Sequence, residues 1–575
     1  MTREPTLGAT GRAALLASLA NDTFDVLVIG GGIGGACAAW DAALRGLKVA
    51  LVERLDFCAG TSAQSFKFLH GGIRYLQHLD LPRLRESCHE RGAFLRVAPH
   101  LTGTIPVVVP TFGYGMQSRW LLGAAFMALE LMTPDRNWGI KDRARAIPAP
   151  FLMSRDDLLA KFPGLKRSAP TGAGVFYDGQ IRNPPRVVLA VLRAAAAAGA
   201  VVLNYCEVNQ LAIQDGRAGG ARVLDLLGGA QLNVRAAVTI NATGPFAPAF
   251  LRRSEHTPQV NVPLSRDMAV IVRRRLDSQM ALAVQTRYAD PDALISRGNR
   301  HLFMAPWRGH YTLIGVNSRV YTDSAYDLSV DESEVSGFLD EVNDAYPGLA
   351  LSMQDVLVVN AGLLPFGEND PQTKDLSFGK RSVVVDHEAT DGVKGLITGM
   401  SIRWTMSRLL GRRVVDLAER KLRGRVSASR TDRTPVWGGD IESLESVASD
   451  IRASKPVAFS EPQVKRIAQN YGGKWREIAA LAQTDPGNLA GSDYLVAEIR
   501  YAVRHELAST LADVVMRRLD MGSGELPADS TLQACAEVMG EDLGWDAARR
   551  GRELARLRAS YPFASPGSQY QLVTS

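Results

Sequence analysis

The chain has 575 residues, 46% hydrophobic and 22% charged, with 66 Lys and Arg against 60 Asp and Glu for a net charge of +6. That length exceeds what one core can serve and predicts roughly two to four soluble globular domains. Five scattered cysteines with no CxxC pair argue against a disulfide framework or a zinc site and suit a reducing, cytoplasmic compartment, and no run reaches the ~18 uncharged apolar residues of a membrane span.

The chain opens with Arg3, Arg12 and an apolar stretch, Ala13–Ala20, that stops at Asn21-Asp22. This reads as a short surface helix within an N-terminal tail (1–23) rather than a secretion signal. Next comes FDVLVIGGGIGGACAAWDAALRGLKVALVE, Phe24 to Glu53. An apolar strand runs into Gly30-x-Gly32-x-x-Gly35, a small-residue helix ends at Gly46, and a second apolar strand ends at Glu53. Gly30 allows the tight turn, Gly32 lets a pyrophosphate approach the backbone, and Gly35 brings the helix close to the sheet. The helix N-terminus offers free N–H groups and partial positive charge to phosphates, and Glu53 can accept hydrogen bonds from ribose hydroxyls. A glycine turn that binds nothing would have no reason to keep all five parts in register.

Residues 56–100 are loop-rich, then helical from Leu81 to Val97. The Pro/Gly-rich stretch 101–170 holds a strand at Ile105–Val109 and a helix at Arg119–Leu131. An Ala-rich helix, Arg186–Gly199, feeds the strand Ala200–Tyr205, and strand-turn-strand patterning closes on Asn241-Ala242-Thr243-Gly244. Period-two alternation from Val260 to Val316 predicts an antiparallel sheet. Further on come a strand at Asp355–Ala361, a buried strand at Gly395–Thr398 and a helix at Thr405–Lys421. Val426–Pro435 reads as a linker, and 440–560 is helical, with Leu495, Ile499, Ala502 and Val503 on one stripe.

The fold class is therefore α/β: a Rossmann-type dinucleotide-binding domain with an inserted antiparallel-sheet substrate domain, plus an all-α C-terminal domain. The expected boundaries are 24–425 for the dinucleotide-binding unit with its insertion, 426–439 for a linker, 440–560 for a helical cap and 561–575 for a tail. Within the first unit, 24–100, 175–259 and 355–425 are assigned to cofactor binding, and 101–174 and 260–354 to the substrate domain.

Basic clusters at Arg252-Arg253, Arg273–Arg275, Arg412–Arg425 and Arg549–Arg556 read most simply as solvated faces. The sharper reading is attraction to an anionic substrate or to a peripheral anionic membrane surface, such as the inner face of the plasma membrane. Nucleic acid is disfavoured, because no stacking-aromatic or basic-groove module accompanies the charge. No metal site or GxSxG is present, and a homodimer is left open.

The glycine fingerprint does not by itself separate NAD from FAD. Non-covalent FAD is favoured by the second turn at Ala242, Thr243 and Gly244 and by the loop CAGTSAQSFKFLHGG, Cys58–Gly72, whose hydroxyls (Thr61, Ser62) and amides suit phosphate and isoalloxazine. With VLVIGGGIGG before it and NATGP after, the block TSAQSFKFLHGGIRYL resembles the FAD-dependent, aerobic, membrane-associated glycerol-3-phosphate dehydrogenase family. The likeness runs through YDGQ (Tyr177–Gln180) and Ser401–Arg408 to YLVAEIRYAVRHELASTLADVVMRRLDMG (Tyr494–Gly522), and so covers roughly residues 15–525. It implies that Thr61, Ser62, Lys67, His70, Gly71 and Gly72 line the flavin, with Gly399 and Thr405 beside it, and that Arg74 is a substrate-side arginine. It also implies oxidation of sn-glycerol 3-phosphate to dihydroxyacetone phosphate with electrons passed to a quinone. The plainer alternatives are a structural loop histidine at His70, a surface ion pair at Arg74 and a bracing role for Lys67.

Three motifs depart from that family. Its Lys-Gly-x-His reads Ser265-Arg266-Asp267-Met268 here, and methionine takes no proton, so Asp267 or His70 is left as the base. Its Ala-Gly-Leu-Arg-Pro reads Ala361-Gly-Leu-Leu364-Pro365, a lost phosphate contact. Its Gly-Lys-x-Thr-Thr-x-Arg reads Ile402–Arg408, keeping a cation at Arg403. Arg74, Lys380 and Arg403, with Arg266 a fourth, are the cations expected to hold a small anionic substrate. An oxidase or dehydrogenase of another anionic alcohol or amine is the alternative, and an inactive flavoprotein the third reading.

Overall fold

The computed structural model describes residues 9–72, 75, 80–113, 118–253, 260, 262–276, 278–289, 299–365, 382–454 and 457–561. The apolar run Thr23–Ile29 forms the centre of the first sheet. Its neighbours are Val49–Val52 and then Val201–Leu203 on one side, and Gln231–Asn241 and then Leu396–Met400 on the other, all parallel. Val383–Asp386 pairs antiparallel at the edge. Strands buried on both faces need continuous apolar sequence, and Val49–Val52 is fully buried. The helices Ile33–Leu44, Pro184–Ala197 and Ser407–Arg423 belong to this core. Chain order reverses beside Thr23–Ile29, which makes the carboxyl ends of that strand and of Gln231–Asn241 the natural ligand crevice.

A second, largely antiparallel sheet runs in the order Val356–Pro365, Leu264–Val272, Tyr311–Tyr321, Asn299–Trp307, Ala281–Ala289, Thr102–Thr111, Gly172–Ile181 and Phe68–Leu69. Two strands depart from the expected division. A boundary at 175 would split Gly172–Ile181, yet that strand pairs along its whole length with Thr102–Thr111. Val356–Pro365, expected in the cofactor unit, pairs with Leu264–Val272. A strand's own pattern states which face is buried, not which sheet it joins. The short strand Phe68–Leu69 pairs with Gln180 and Gly179, so the loop that leaves Glu53 crosses from the first sheet to the second.

The N-terminal helix Ala9–Asn21 is docked rather than loose: Arg12 donates to Asn204 O (2.9 Å) and pairs with Asp225 (2.6 Å). The stretch expected as a linker is also pinned, with Ser427 on Glu419, Ser429 on Asp41, and Val436 N–H on Val97 O. Beyond it lie the helices Leu444–Arg452, Glu461–Tyr471, Trp475–Thr484, Val496–Glu506, Asp529–Leu543 and Ala547–Ala559. Val496–Glu506 buries more than the expected stripe, adding Ala497, Tyr501 and Glu506, because it separates two apolar clusters and serves both. Among the described residues no helix is long and apolar enough to cross a membrane.

Candidate active site

The glycine loop lies where the two strands end. Gly30 has φ +113°, and a Cβ there would sit 2.6 Å from Ala242 O; one at Gly35 would overlap the carbonyl oxygen of Gly30. Neither clash is with a side chain that could move, so both positions exclude any larger residue. Thr243 is fastened to Asn241 through its hydroxyl (2.7 Å), and Gly244, at φ +62°, turns the chain away. The helix Ile33–Leu44 starts at Gly32 without a side-chain cap on that residue; the Ile33 N–H instead donates to Ser62 Oγ (3.1 Å). Glu53 closes the loop by accepting from Gly31 N–H (2.6 Å) and Leu55 N–H (2.8 Å). Burial raises its pKa above the usual value, opposed by those two amides. A helix N-terminus capped only at its first amide, a cleft that admits no Cβ and a half-buried carboxylate at the end of the second strand together fit the diphosphate and ribose of an adenine dinucleotide.

The loop from Thr61 to Gly72 bridges the two sheets. Thr61 donates to Leu363 O (3.2 Å), and Trp404 Nε1 donates to Ser62 O (3.2 Å), so both sheets grip it. Lys67 is buried at φ +60°, its ammonium 5.0 Å from the Trp307 ring centroid and 3.5 Å from Ser65 O. Burial with so little compensation lowers its pKa to about 7. Gly399, expected against the cofactor, is packed beneath Val414 and Leu410 of the next helix, where a Cβ would meet Val414 at 2.8 Å. Thr405 accepts from His70 N–H at 3.0 Å and thereby sets that residue's position.

His70 Nδ1 lies 3.0 Å from Asp178 Oδ2, and Gly71 N–H donates to the other carboxylate oxygen (2.6 Å). Arg91 adds a contact to the same oxygen (3.1 Å) and to Tyr177 O (2.7 Å). Asp178 is buried while the His70 side chain is 40% exposed. A carboxylate held from three sides fixes the tautomer with hydrogen on Nδ1, leaving Nε2 as the acceptor atom. Asp178 sits within the YDGQ block, but no spacing rule links residues 108 apart, so its partnership was not readable.

Arg403 is half-buried, with its guanidinium carbon 5.1 Å from the Tyr75 centroid and no carboxylate partner among the described residues. Burial lowers its pKa to about 10. Such an unpaired, desolvated cation is what an anionic ligand needs. Arg74 and Lys380 lie outside the described residues. Arg266 does not join them: its guanidinium is bidentate to Glu334 (2.9 and 2.8 Å) and also donates to Ser329 O.

The reason is strand parity. Met268 packs with Val270 and Val272 against the helix Glu332–Ala345, and Arg266 shares that face. Asp267 shares the opposite face with Ala269 and Ile271, which pack with Phe66 and Trp307. Asp267 stands across from Gly362, where a Cβ would lie 3.1 Å from Thr61 Cγ2. Asp267, not Met268, therefore points toward the loop, and burial raises its pKa to about 6. Leu364, paired with Ser265, lies on that same face and brings no charge to it.

Residues 25–417 match the family described as FAD dependent oxidoreductase, and residues 429–550 match the C-terminal domain of alpha-glycerophosphate oxidase. The mitochondrial glycerol-3-phosphate dehydrogenase of Homo sapiens is 30% identical over 97% of this chain and 75% of its own length. The glycerol-3-phosphate dehydrogenase of Mycobacterium leprae is 32% identical over 96% of this chain and 90% of its own. Among solved structures, the glycerol-3-phosphate dehydrogenase of Bacillus halodurans, complexed with FAD, superposes with a TM-score of 0.74 at 22% identity, covering 97% of this chain and 99% of that one. Whole-length agreement in sequence and fold, joined to a cleft shaped for an adenine dinucleotide, establishes that the chain is an FAD-dependent oxidoreductase and belongs to the glycerol-3-phosphate dehydrogenase family.

Proposed function

We propose that this enzyme oxidises sn-glycerol 3-phosphate to dihydroxyacetone phosphate and delivers the electrons to a quinone. The observation that carries the reading is the pairing of Arg403, which has no carboxylate partner among the described residues, with the oriented His70–Asp178 couple on one loop system. Bound FAD would supply the hydride acceptor at N5. Arg403, with Arg74 and Lys380 from the family pattern, holds the phosphate by charge-assisted hydrogen bonds. His70 Nε2 takes the C2 hydroxyl proton as the C2 hydride departs, and Asp178 stabilises the imidazolium that results. Asp267 flanks the pocket, its charge damped by burial.

Anaerobic titration with glycerol 3-phosphate tests this: bleaching of the flavin absorbance is expected, and an unbleached flavin refutes the assignment. Oxidation of a different small anionic alcohol or amine is the second reading, favoured by Leu364 on the pocket face, and bleaching by such a compound alone would select it.

The acceptor side has support from the surface. The helix Arg119–Met132 exposes Trp120 (79%), Met127 (66%) and Leu131 (83%), with Trp138 (81%) close behind in sequence. An exposed apolar face with Trp120, Met127 and Leu131 at helical spacing suits a lipid interface, where a quinone resides. The basic clusters give less support than their sequence suggests. Arg253, Arg273, Arg274, Arg413 and Arg549 are ion-paired to Glu207, Glu525, Asp355, Glu86 and Glu553.

A further inference from the structure

The helical cap grips a buried carboxylate of the cofactor domain. Asp56, three residues past Glu53, is fully buried and receives four hydrogen bonds. Arg518 is bidentate to it (2.7 and 2.7 Å), Arg517 Nε reaches Oδ2 (2.6 Å), and Asn204 Nδ2 reaches Oδ1 (2.9 Å). Both arginines belong to the π-helical turn Asp513–Arg518 of the cap. The wider turn brings neighbouring side chains closer to one direction than an α-helix does, so two consecutive arginines meet a single acid. Asp513 steadies the pair, bonding Arg517 (2.6 Å) and accepting from Tyr205 OH (2.7 Å). Burial pushes the Asp56 carboxyl upward, but Arg518 and Arg517 override it and bring it down to about 2.

Immediately beyond Asp56 the chain enters the cofactor cradle. Phe57 lies so close to Gly31 that a Cβ there would be 2.9 Å from its ring. Cys58 N–H donates to Gly31 O (3.1 Å), with Cys58 held at φ +61°. Four residues later, Ser62 caps the first amide of the glycine-loop helix. The two cap arginines are thus fastened one residue away from the side chain that shapes the phosphate turn.

We propose that Arg517 and Arg518 are positioning residues for the flavin: docking of the cap through Asp56 sets the glycine loop, so cap seating and cofactor binding are thermodynamically coupled. Coupling of this kind is reciprocal. A cap that tightens flavin must itself be tightened by flavin, whatever the substrate turns out to be. Contacts that merely glue two domains together would show no such response.

The test uses the full chain with and without FAD. In the native protein, FAD is expected to slow hydrogen exchange of the amides from Leu511 to Leu519 at least tenfold. Arg518→Lys keeps the charge but loses the two-pronged contact. It is expected to raise the FAD dissociation constant, read by flavin fluorescence, at least tenfold, and to reduce the cap's exchange response below twofold. Leu532→Ala, in the cap's own apolar cluster, is the control for general loosening; it should lower the melting temperature and leave the FAD-dependent slowing at Leu511–Leu519 in place. A cap whose exchange ignores FAD in the native protein overturns the proposal. So does an Arg518→Lys protein that binds FAD as tightly as the native one.

Discussion

Gly35 shows how much a single missing methyl group decides. A Cβ at that position would overlap the Gly30 carbonyl, which is backbone and cannot step aside. Gly35→Ala should therefore open the turn and lose flavin, and the ratio of flavin to protein absorbance after gel filtration measures it; full occupancy would contradict the geometry. Asp267 is governed by charge instead of volume. Its carboxyl, at 3.8 in an ordinary setting, is raised to about 6 by burial, against weaker hydrogen bonds from Ser318 and Ser265. The neutral form is favoured by the fold, so the stability it confers is fully present below pH 3.8 and is lost as pH rises through about 6. For a partly buried side chain the loss is about 2 kcal/mol. Urea unfolding between pH 4 and pH 8 should show Asp267→Asn gaining on the native protein by that amount at the alkaline end. Parallel curves would mean that Asp267 titrates normally.

At the scale of elements, the helix Arg119–Met132 is unusual for what it leaves uncovered. Leu122 and Phe126 press on Gly174, so one face is spent on the second sheet. Trp120, Met127 and Leu131 lie on the other. Replacing Trp120 and Leu131 together by serine should abolish co-sedimentation with anionic liposomes and leave flavin reduction by substrate in solution intact. Undiminished sedimentation would move the lipid contact elsewhere. This helix, Leu81–Val97 and the β-α-β unit were legible in the sequence because local periodicity and capping set them. The glycine turn was legible because Gly30 and Gly35 answer local steric demands. Parity within Ser265–Met268 is also written in the sequence: residues 266 and 268 share a face, so Arg266 and Asp267, both expected at the site, cannot line one pocket. The pairings His70–Asp178 and Asp56–Arg518 were not legible, since long-range partners leave no spacing signal.

The whole molecule is held together by charges taken out of water. Glu506, at the end of the cap helix Val496–Glu506, is fully buried and accepts hydrogen bonds across the domain boundary. Arg186 of the helix Pro184–Ala197 contacts both its oxygens at 2.8 Å, and Arg193, further along the same helix, adds a bond of 3.1 Å. Arg186 also donates to Asn470 O (2.9 Å) and lies 4.9 Å from the Tyr471 ring centroid. Removing the acid alone strands Arg186 in a site with no other carboxylate in contact among the described residues, whereas Arg193 keeps Glu477. The penalty for a buried charge left without its partner is about 3–5 kcal/mol, larger than the net worth of the pair, because desolvation has already cancelled much of the Coulomb gain. Glu506→Gln should lower the unfolding free energy by that amount. The double variant Arg186→Met with Glu506→Leu should be less destabilised than Glu506→Gln, since it removes the stranded charge along with the acid. Urea denaturation monitored by tryptophan fluorescence decides between the outcomes. A single variant costing less than about 1 kcal/mol would mean that water reaches Arg186, and that the cap rests on the cofactor domain more loosely than its buried ion pairs imply.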